Sequence, residues 1–261
     1  MLLHGLRSTP REFGLIALTM RGRGILLITP SIDGYSQAEY PRQTSWRQWV
    51  TAASTAIAQA LPHGQPFVLG GLCSGGLLAA ALTLDGRHRV AGLAMLSPTF
   101  DYDGWSQTRW RHLRKMGYVL GLTRWIRVSE REPFGVKNPR VRAWVAREMR
   151  ERASSASGPS SLPLWAIREV DRLKDWVCAG LPRLDTRTLV LHARDDDVCT
   201  LASVQRAMPI IGAASKRLVV LDDSYHMITI DNDRQRVVDE LIAFSTAHSV
   251  AHDPEALCPT P

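Results

Sequence analysis

Short apolar runs alternate along this chain with longer stretches that have helical spacing. Apolar runs predict strands at residues 1–4, 24–29, 67–72, 90–96, 188–192 and 216–221. Two helix starts are marked between these runs, by proline and glutamate at 9–12 and by a capping box at 45–48. Strands that alternate with helices favour an α/β fold, with a mostly parallel sheet flanked by helices.

The alternation stops after the first hundred residues. Residues 101–184 are rich in Arg and Trp, have helical spacing and contain no convincing strand, and a Ser-rich interruption falls at 154–161. We therefore predict one core domain, formed by 1–100 and 185–248, with an inserted helical lid over 101–184. Residues 249–261 are predicted to form a flexible tail.

Composition limits the class of protein. A chain of 261 residues is long enough to bury a substantial core. No apolar run reaches the roughly 18 residues that span a bilayer, and no signal-peptide pattern is visible. The four cysteines show no spacing typical of a metal site or a disulfide framework. We expect a cytoplasmic protein with no cofactor and no bound metal.

The positive charge is concentrated in the predicted lid. Residues 101–150 hold twelve Lys or Arg and five Asp or Glu, and this difference of +7 equals the formal net charge of the whole chain. A solvated helical face is the ordinary explanation of such a segment. A docking surface for an acidic partner or an anionic substrate is the alternative. No nucleic-acid recognition module accompanies the charge, so no nucleic-acid partner is expected.

The sequence Gly-Leu-Cys-Ser-Gly-Gly at 71–76 follows a predicted strand and leads into a helix rich in Leu and Ala. Small residues two before and two after Cys73 are typical of a nucleophile elbow, because a Cβ at either position would collide with the neighbouring strand or helix. Ser74 is the alternative nucleophile, but bulky Leu72 lies two residues before it. We predict Cys73, whose thiolate a helix N-terminus stabilises.

A nucleophile of this kind needs a base and an acid that orients the base. Asp195, Asp196 and Asp197 follow the strand predicted at 188–192, and at most one of three adjacent aspartates can be buried, charged and aimed at a histidine. We favour Asp196, with a solvated acidic turn as the alternative. His226 follows the last predicted strand and is the expected base.

Two further groups of site residues are predicted. An oxyanion hole is expected from the backbone N–H of Leu6, in the His-Gly-Leu sequence that ends the first strand, and the N–H of Ser74. Tryptophans of the lid are candidates for the lining of an acyl channel, although Trp at helical spacing is more often part of a core: Trp105, Trp110 and Trp125.

Four motifs together resemble the α/β-hydrolase superfamily, in its carboxylesterase, monoacylglycerol lipase and serine aminopeptidase S33 branch. They are 3–6, the elbow at 71–76, 192–198 and 224–231. In that family the acid lies three residues after a strand-end glycine; the matching position here is Ala193, which again indicates Asp196. The family normally has serine at the elbow, and cysteine there resembles dienelactone hydrolases, polyhydroxyalkanoate synthases and some acyl-transferring enzymes.

The resemblance implies an acyl-ester or acyl-thioester hydrolase that forms a covalent acyl-enzyme on the elbow residue. One alternative is an acyltransferase that takes its acyl group from a carrier protein or CoA. The other is a binding protein that kept the fold and lost turnover. The basic lid makes an acidic acyl carrier protein a candidate partner, which would dock at Arg109, Arg111, Arg114 and Lys115.

Overall fold

A central sheet of five strands organises the protein, and each neighbouring pair of its strands is parallel. The computed structural model describes residues 1–37, 42–107, 113–152, 154–155 and 158–249. The strands are β1 (Leu2–Leu3), β2 (Phe67–Leu72), β3 (Val90–Leu96), β4 (Arg127–Ser129), β5 (Ser154–Ser155), β6 (Gly158–Pro159), β7 (Ser161–Pro163), β8 (Thr188–Ala193) and β9 (Lys216–Leu221). The order across the central sheet is β1-β2-β3-β8-β9.

Helices cover both faces of this sheet. They are α1 (Gly14–Gly22), α2 (Trp46–Ala60), α3 (Ser74–Asp85), α4 (Arg114–Val119), α5 (Pro139–Arg152), α6 (Leu164–Gly180), α7 (Leu201–Ala207) and α8 (Arg234–Ser249). Side chains along a strand point alternately to the two faces of the sheet, and in β3 both sets are apolar because helices cover both faces. Its Leu93 and Met95 pack with α2, α3 and α6, whereas Ala94 and Leu96 pack with α1, α5 and α8. The predicted α/β class is therefore confirmed.

Helix α2 begins at the predicted capping box. The backbone N–H of Gln48 donates to Ser45 Oγ at 3.4 Å, and the N–H of Ser45 donates to Gln48 Oε1 at 2.8 Å. Both bonds satisfy backbone donors that the first turn of a helix leaves unpaired. The side chain of Trp49, one turn into the helix, is fully buried in the core that α2 shares with α3.

The strand predicted at 24–29 is not present. This segment has no regular structure and makes one backbone hydrogen bond to β1, from the N–H of Leu2 to the carbonyl of Ile28 at 2.9 Å. Since β1 has only two residues, it is too short to form a longer series of backbone hydrogen bonds with this segment. The other five predicted strands correspond to β1, β2, β3, β8 and β9.

The segment predicted as a helical lid contains short strands that the sequence did not indicate. β4 pairs with β7, and β5 pairs with β6, both antiparallel. Helix α6 also falls in this segment, yet its buried side chains, among them Trp165, Val170 and Val177, belong to the core shared with α2 and α3. Of the predicted tail, Ser249 ends α8, and 250–261 lie outside the described residues.

The start of α3 approaches β1 and β2 so closely that side chains are excluded. A Cβ placed on Gly75 would lie 2.2 Å from the carbonyl oxygen of Leu3, and one on Gly71 would lie 2.3 Å from the carbonyl oxygen of Gly75. Both obstacles are backbone atoms, which cannot rotate away. The collision expected at the two positions that flank Cys73 is therefore present in the structure.

Replacing Gly75 by alanine is expected to lower the free energy of unfolding by about 3 kcal/mol, because β1 and α3 would have to separate. Gly14→Ala is the matched control. Gly14 is exposed and has helical backbone angles, and a Cβ added to it would have nothing within 4 Å. We therefore expect Gly14→Ala to raise the free energy of unfolding by about 0.5 kcal/mol. Urea unfolding followed by tryptophan fluorescence measures both. Equal stability of the two variants would contradict the close packing at Gly75.

Candidate active site

Cys73 lies between the end of β2 and the first residue of α3, in a backbone conformation that side chains rarely adopt. Its φ is 58° and its ψ is −126°, and its N–H donates to the carbonyl of Leu96 at 2.9 Å. Positive φ is unfavourable for a residue that has a Cβ, and the close packing around Cys73 offsets this cost in free energy. Its thiol Sγ is 3.1 Å from Oγ1 of buried Thr99, which follows the end of β3.

The structure brings His226 and Asp196 into direct contact. His226 Nδ1 donates to Asp196 Oδ2 at 2.9 Å and lies 3.1 Å from Oδ1. Both residues are buried. His226 Nε2, on the opposite side of the ring, has no hydrogen-bond partner among the described residues, and His226 lines the same cavity as Cys73. This arrangement leaves Nε2 free to exchange a proton with a group in the cavity.

The charges at the site stabilise an ionised Asp196 and raise the proton affinity of His226. Burial opposes a positive charge on His226, but the negative charge of Asp196 and the interactions with Cys73 outweigh it and raise the pKa of His226 well above its usual range. Burial also opposes the negative charge of Asp196. The charge of His226 and the hydrogen bonds to the carboxylate prevail, and they hold the pKa of Asp196 below its usual value.

The three neighbouring aspartates have different environments. Asp196 Oδ1 accepts the N–H of Val198 and the N–H of Cys199, at 2.8 and 2.9 Å. The carboxylate of Asp197 accepts the backbone N–H of His226 at 3.3 Å, and Asp195 is exposed. Among the three, Asp196 alone reaches the imidazole of His226.

Segments distant in sequence hold the acid loop and the histidine loop in place. After β3, the N–H of Ser106 donates to the carbonyl of Asp197 at 3.1 Å, and Ser106 Oγ donates to the same oxygen at 2.7 Å. Before α5, the carbonyl of Gly135 accepts the N–H of Met227 at 2.8 Å. Buried Asp231 accepts the N–H of Tyr225 at 2.9 Å. The positions of Asp196 and His226 therefore depend on two segments distant in the sequence and on a hydrogen bond within the histidine loop.

The two expected oxyanion donors face one cavity. Leu6 and Ser74 both line it, and neither backbone N–H donates to another described residue. The hydroxyl of Ser74 is 1% exposed and forms a 2.8 Å hydrogen bond with the hydroxyl of Tyr35, which also donates to the carbonyl of His4 at 3.0 Å. The Ser74 side chain is thus part of a buried network.

The cavity that contains Cys73 and His226 has a volume of about 810 Å³. Its polar base includes Leu6, Cys73, Ser74 and His226. Much of the rest of its wall is apolar and comes from α4 with the residues on either side of it, from β7 and from α6, although charged side chains such as Arg127 and Glu130 also line it. The large apolar members are Leu113, Met116, Leu120, Leu122, Ile126, Leu162, Leu164 and Ile167. A polar base under an apolar wall is the usual form of a site for an amphipathic small molecule.

Two of the three tryptophans expected to line this cavity, Trp105 and Trp125, do not line it. Trp105 Nε1 donates to the carbonyl of Asp195 at 3.0 Å, and its ring packs edge to face on Tyr225, so it supports the outside of the acid loop. Trp125 is 82% exposed and is absent from the cavity wall. Trp110 lies outside the described residues. The expectation was wrong for Trp105 and Trp125, because aliphatic side chains and Met116 build the wall.

The sequence interpretation missed three polar residues of the site. They are Thr99, beside the thiol, and two carboxyl groups in the cavity wall, Glu12 and Glu130. Burial raises the pKa of Glu12 to about 7, although its Oε2 accepts the N–H of Gly5 at 2.7 Å. Glu130, by contrast, is exposed, so its carboxyl group is open to solvent at the cavity wall. Only Thr99 carried a signal, since it follows a strand end.

The structure also bears on metal and membrane binding in the described part of the chain. Within it, no group of three or more His, Cys, Asp or Glu side chains is arranged to hold a metal ion. No helix among these residues is both long and apolar enough to cross a bilayer.

Comparisons with known proteins agree with this architecture. A thermostable monoacylglycerol lipase from Bacillus sp. (strain H-257) is 19% identical over 250 residues, which cover 95% of this chain and 90% of the lipase. The monoacylglycerol lipase of Paleococcus ferrophilus superposes with a TM-score of 0.75 at 17% identity. The match covers 95% of this chain and 93% of that lipase. A soluble variant of monoglyceride lipase from Saccharomyces cerevisiae, in complex with a substrate analog, gives a TM-score of 0.76 at 13% identity. The match covers 95% of this chain and 85% of the yeast protein.

These likenesses show the α/β-hydrolase fold. A family model described as serine aminopeptidase, S33, matches residues 1–233. The chain therefore belongs to the serine aminopeptidase S33 family and is an enzyme of the α/β-hydrolase fold, with cysteine at its elbow.

Proposed function

We propose that this enzyme hydrolyses acyl esters or acyl thioesters through a Cys73–His226–Asp196 triad. The observation that carries the proposal is the placement of a strained cysteine and a histidine held by a buried carboxylate in one cavity, beside two free backbone N–H groups. The apolar wall suits an acyl chain. Two of the relatives are monoacylglycerol lipases, which makes a glycerol monoester a suitable first substrate.

In the first half of the reaction, the Cys73 thiol gives its proton to His226 Nε2, and Sγ attacks the acyl carbonyl carbon. The N–H groups of Leu6 and Ser74 stabilise the negative oxygen of the tetrahedral intermediate. The bond to the leaving alcohol or thiol then breaks, and Nε2–H protonates the leaving group. An acyl thioester on Cys73 remains.

In the second half, His226 takes a proton from water, which attacks the thioester carbonyl. Collapse of the second intermediate releases the carboxylic acid and returns the proton to Sγ. Asp196 keeps Nδ1 of His226 protonated, so that Nε2 is the atom that exchanges protons in both halves.

The cysteine favours a second candidate function, acyl transfer. A thiol exchanges readily with thioesters, so an acyl-CoA or a carrier-bound acyl group is a suitable donor, and an alcohol or amine can replace water in the second half. Adding such an acceptor to the acyl-enzyme and measuring the ratio of transferred to hydrolysed product separates the two functions.

An acyl donor should leave an adduct on Cys73, which mass spectrometry of the peptide at 71–76 detects. Cys73→Ala should abolish the adduct and the turnover. Ser74→Ala is the matched control and should retain the adduct, because the Ser74 hydroxyl is bonded to Tyr35. An adduct that survives Cys73→Ala and disappears in Ser74→Ala would overturn the assignment. Absence of any adduct in the wild-type enzyme would favour a binding protein.

Asp196→Asn should lower kcat/KM by about 100-fold or more and shift its alkaline decline to lower pH. In the wild-type enzyme the charge of Asp196 raises the pKa of His226, so His226 keeps the proton that the leaving group needs up to a higher pH. Without that charge, the proton is lost at a lower pH. Asp195→Asn, which changes the exposed neighbour, should leave the pH profile of kcat/KM unaltered. Matching profiles for Asp196→Asn and the wild-type enzyme would refute the role of Asp196.

Thr99→Val should reduce kcat/KM about tenfold. Oγ1 of Thr99 lies 3.1 Å from Sγ of Cys73, and the hydrogen bond that the hydroxyl would give to the charged sulfur during attack would be lost. Thr99→Ser retains the hydroxyl and should recover most of the activity. The rate at which iodoacetamide alkylates Cys73 gives an independent readout and should fall only in Thr99→Val. If both variants behave alike, Thr99 has no role beyond packing.

A further inference from the structure

Large apolar side chains are exposed in one short stretch of this enzyme. Of the thirteen exposed large apolar residues in the described chain, eight lie within 113–128, which spans α4, the turn after it and most of β4. They are Leu113, Met116, Val119, Leu120, Leu122, Trp125, Ile126 and Val128. An exposed apolar patch of this extent marks an interaction surface in general.

The patch continues the apolar wall of the cavity to the outside of the molecule. Six of the eight residues line the cavity, whereas Val119 and Trp125 do not, and these two are the most exposed, at 87% and 82%. A long-chain ligand that entered from this surface would therefore stay in contact with apolar side chains on its way to Cys73. Val119 and Trp125 serve no purpose in the cavity itself.

The charge within the patch has one sign. Residues 113–129 contain four cations and no Asp or Glu. Arg114 is neutralised by Asp171, with distances of 3.0 and 3.1 Å between guanidinium nitrogens and carboxylate oxygens. Lys115, Arg124 and Arg127 form no ion pair with a described residue, so three positive charges of this segment are not neutralised by a carboxylate in the described part of the chain.

We propose that the segment 113–128 docks the enzyme on the surface of an anionic lipid bilayer. Val119 and Trp125 would enter the headgroup region, and Lys115, Arg124 and Arg127 would meet lipid phosphates. Apolar side chains, an interfacial Trp and flanking Lys and Arg are the combination that binds membrane interfaces. This docking does not use the triad, and it goes beyond the proposed function because it assigns the place where the enzyme takes up an acyl substrate.

An acidic acyl carrier protein fits the same surface less well. Of the four residues expected to dock it, Arg109 and Arg111 lie outside the described residues, and Arg114 is already paired with Asp171. A carrier recognised by charge would need cations at the centre of the patch, where Val119 and Trp125 stand instead.

Co-sedimentation with vesicles tests the proposal. The Cys73→Ala protein, which cannot turn over lipid, is mixed with vesicles of phosphatidylglycerol and phosphatidylcholine or of phosphatidylcholine alone. We expect binding at least about tenfold tighter to the anionic vesicles, and a loss of that preference at high salt. Failure to bind either vesicle, or tighter binding to an acidic acyl carrier protein than to anionic vesicles, would overturn the proposal.

Val119→Ser combined with Trp125→Ser should weaken vesicle binding by at least about tenfold, while kcat/KM on a water-dissolved short-chain ester stays unchanged and reports correct folding. The matched control is Leu15→Ser with Leu18→Ser, two exposed leucines on α1, which should leave binding intact. Lys115→Ala with Arg124→Ala should remove only the preference for anionic lipid. Unchanged vesicle binding in the Val119 and Trp125 variant would refute docking, whatever the outcome for the triad.

Discussion

The active site depends on the contact between the first residues of α3 and the end of β1. At Gly75 the carbonyl oxygens of Leu3 and His4 occupy the space that a Cβ would take. Because no side chain separates these elements, the loop that carries the Leu6 N–H lies beside the turn that carries Cys73. The same contact forces Cys73 into positive φ and leaves the N–H of the next residue unpaired at the start of a helix.

A second constraint is the burial of charge. An isolated charge in this interior would be unstable, and the contact between His226 and Asp196 compensates the charge that either side chain carries. Asp196 is further satisfied by two backbone N–H groups of its own loop, so its charge does not depend on His226 alone. Loops from other parts of the chain fix both residues, which gives the base a defined orientation before any substrate enters.

The cavity and the surface around it have complementary roles. Polar groups lie at the base, where bonds would be broken, and apolar side chains form the wall, where a chain would be held. The segment 113–128 belongs to both, since some of its side chains face the cavity and others face solvent. This continuity connects the proposed acyl chemistry with the proposed lipid surface. The cysteine leaves hydrolysis and acyl transfer as two outcomes of one acyl-enzyme.

The sequence by itself determined the α/β class, the five strands of the central sheet and the elbow. Buried parallel strands are continuous apolar runs, and the elbow needs small residues at fixed spacing, so both leave a local pattern. Only the tertiary structure decided that Asp196 reaches His226, that Thr99 touches the thiol, and that Trp105 and Trp125 stand outside the cavity. These facts depend on distances between loops far apart in the chain. No local pattern encodes such distances, because the packing of the whole core sets them.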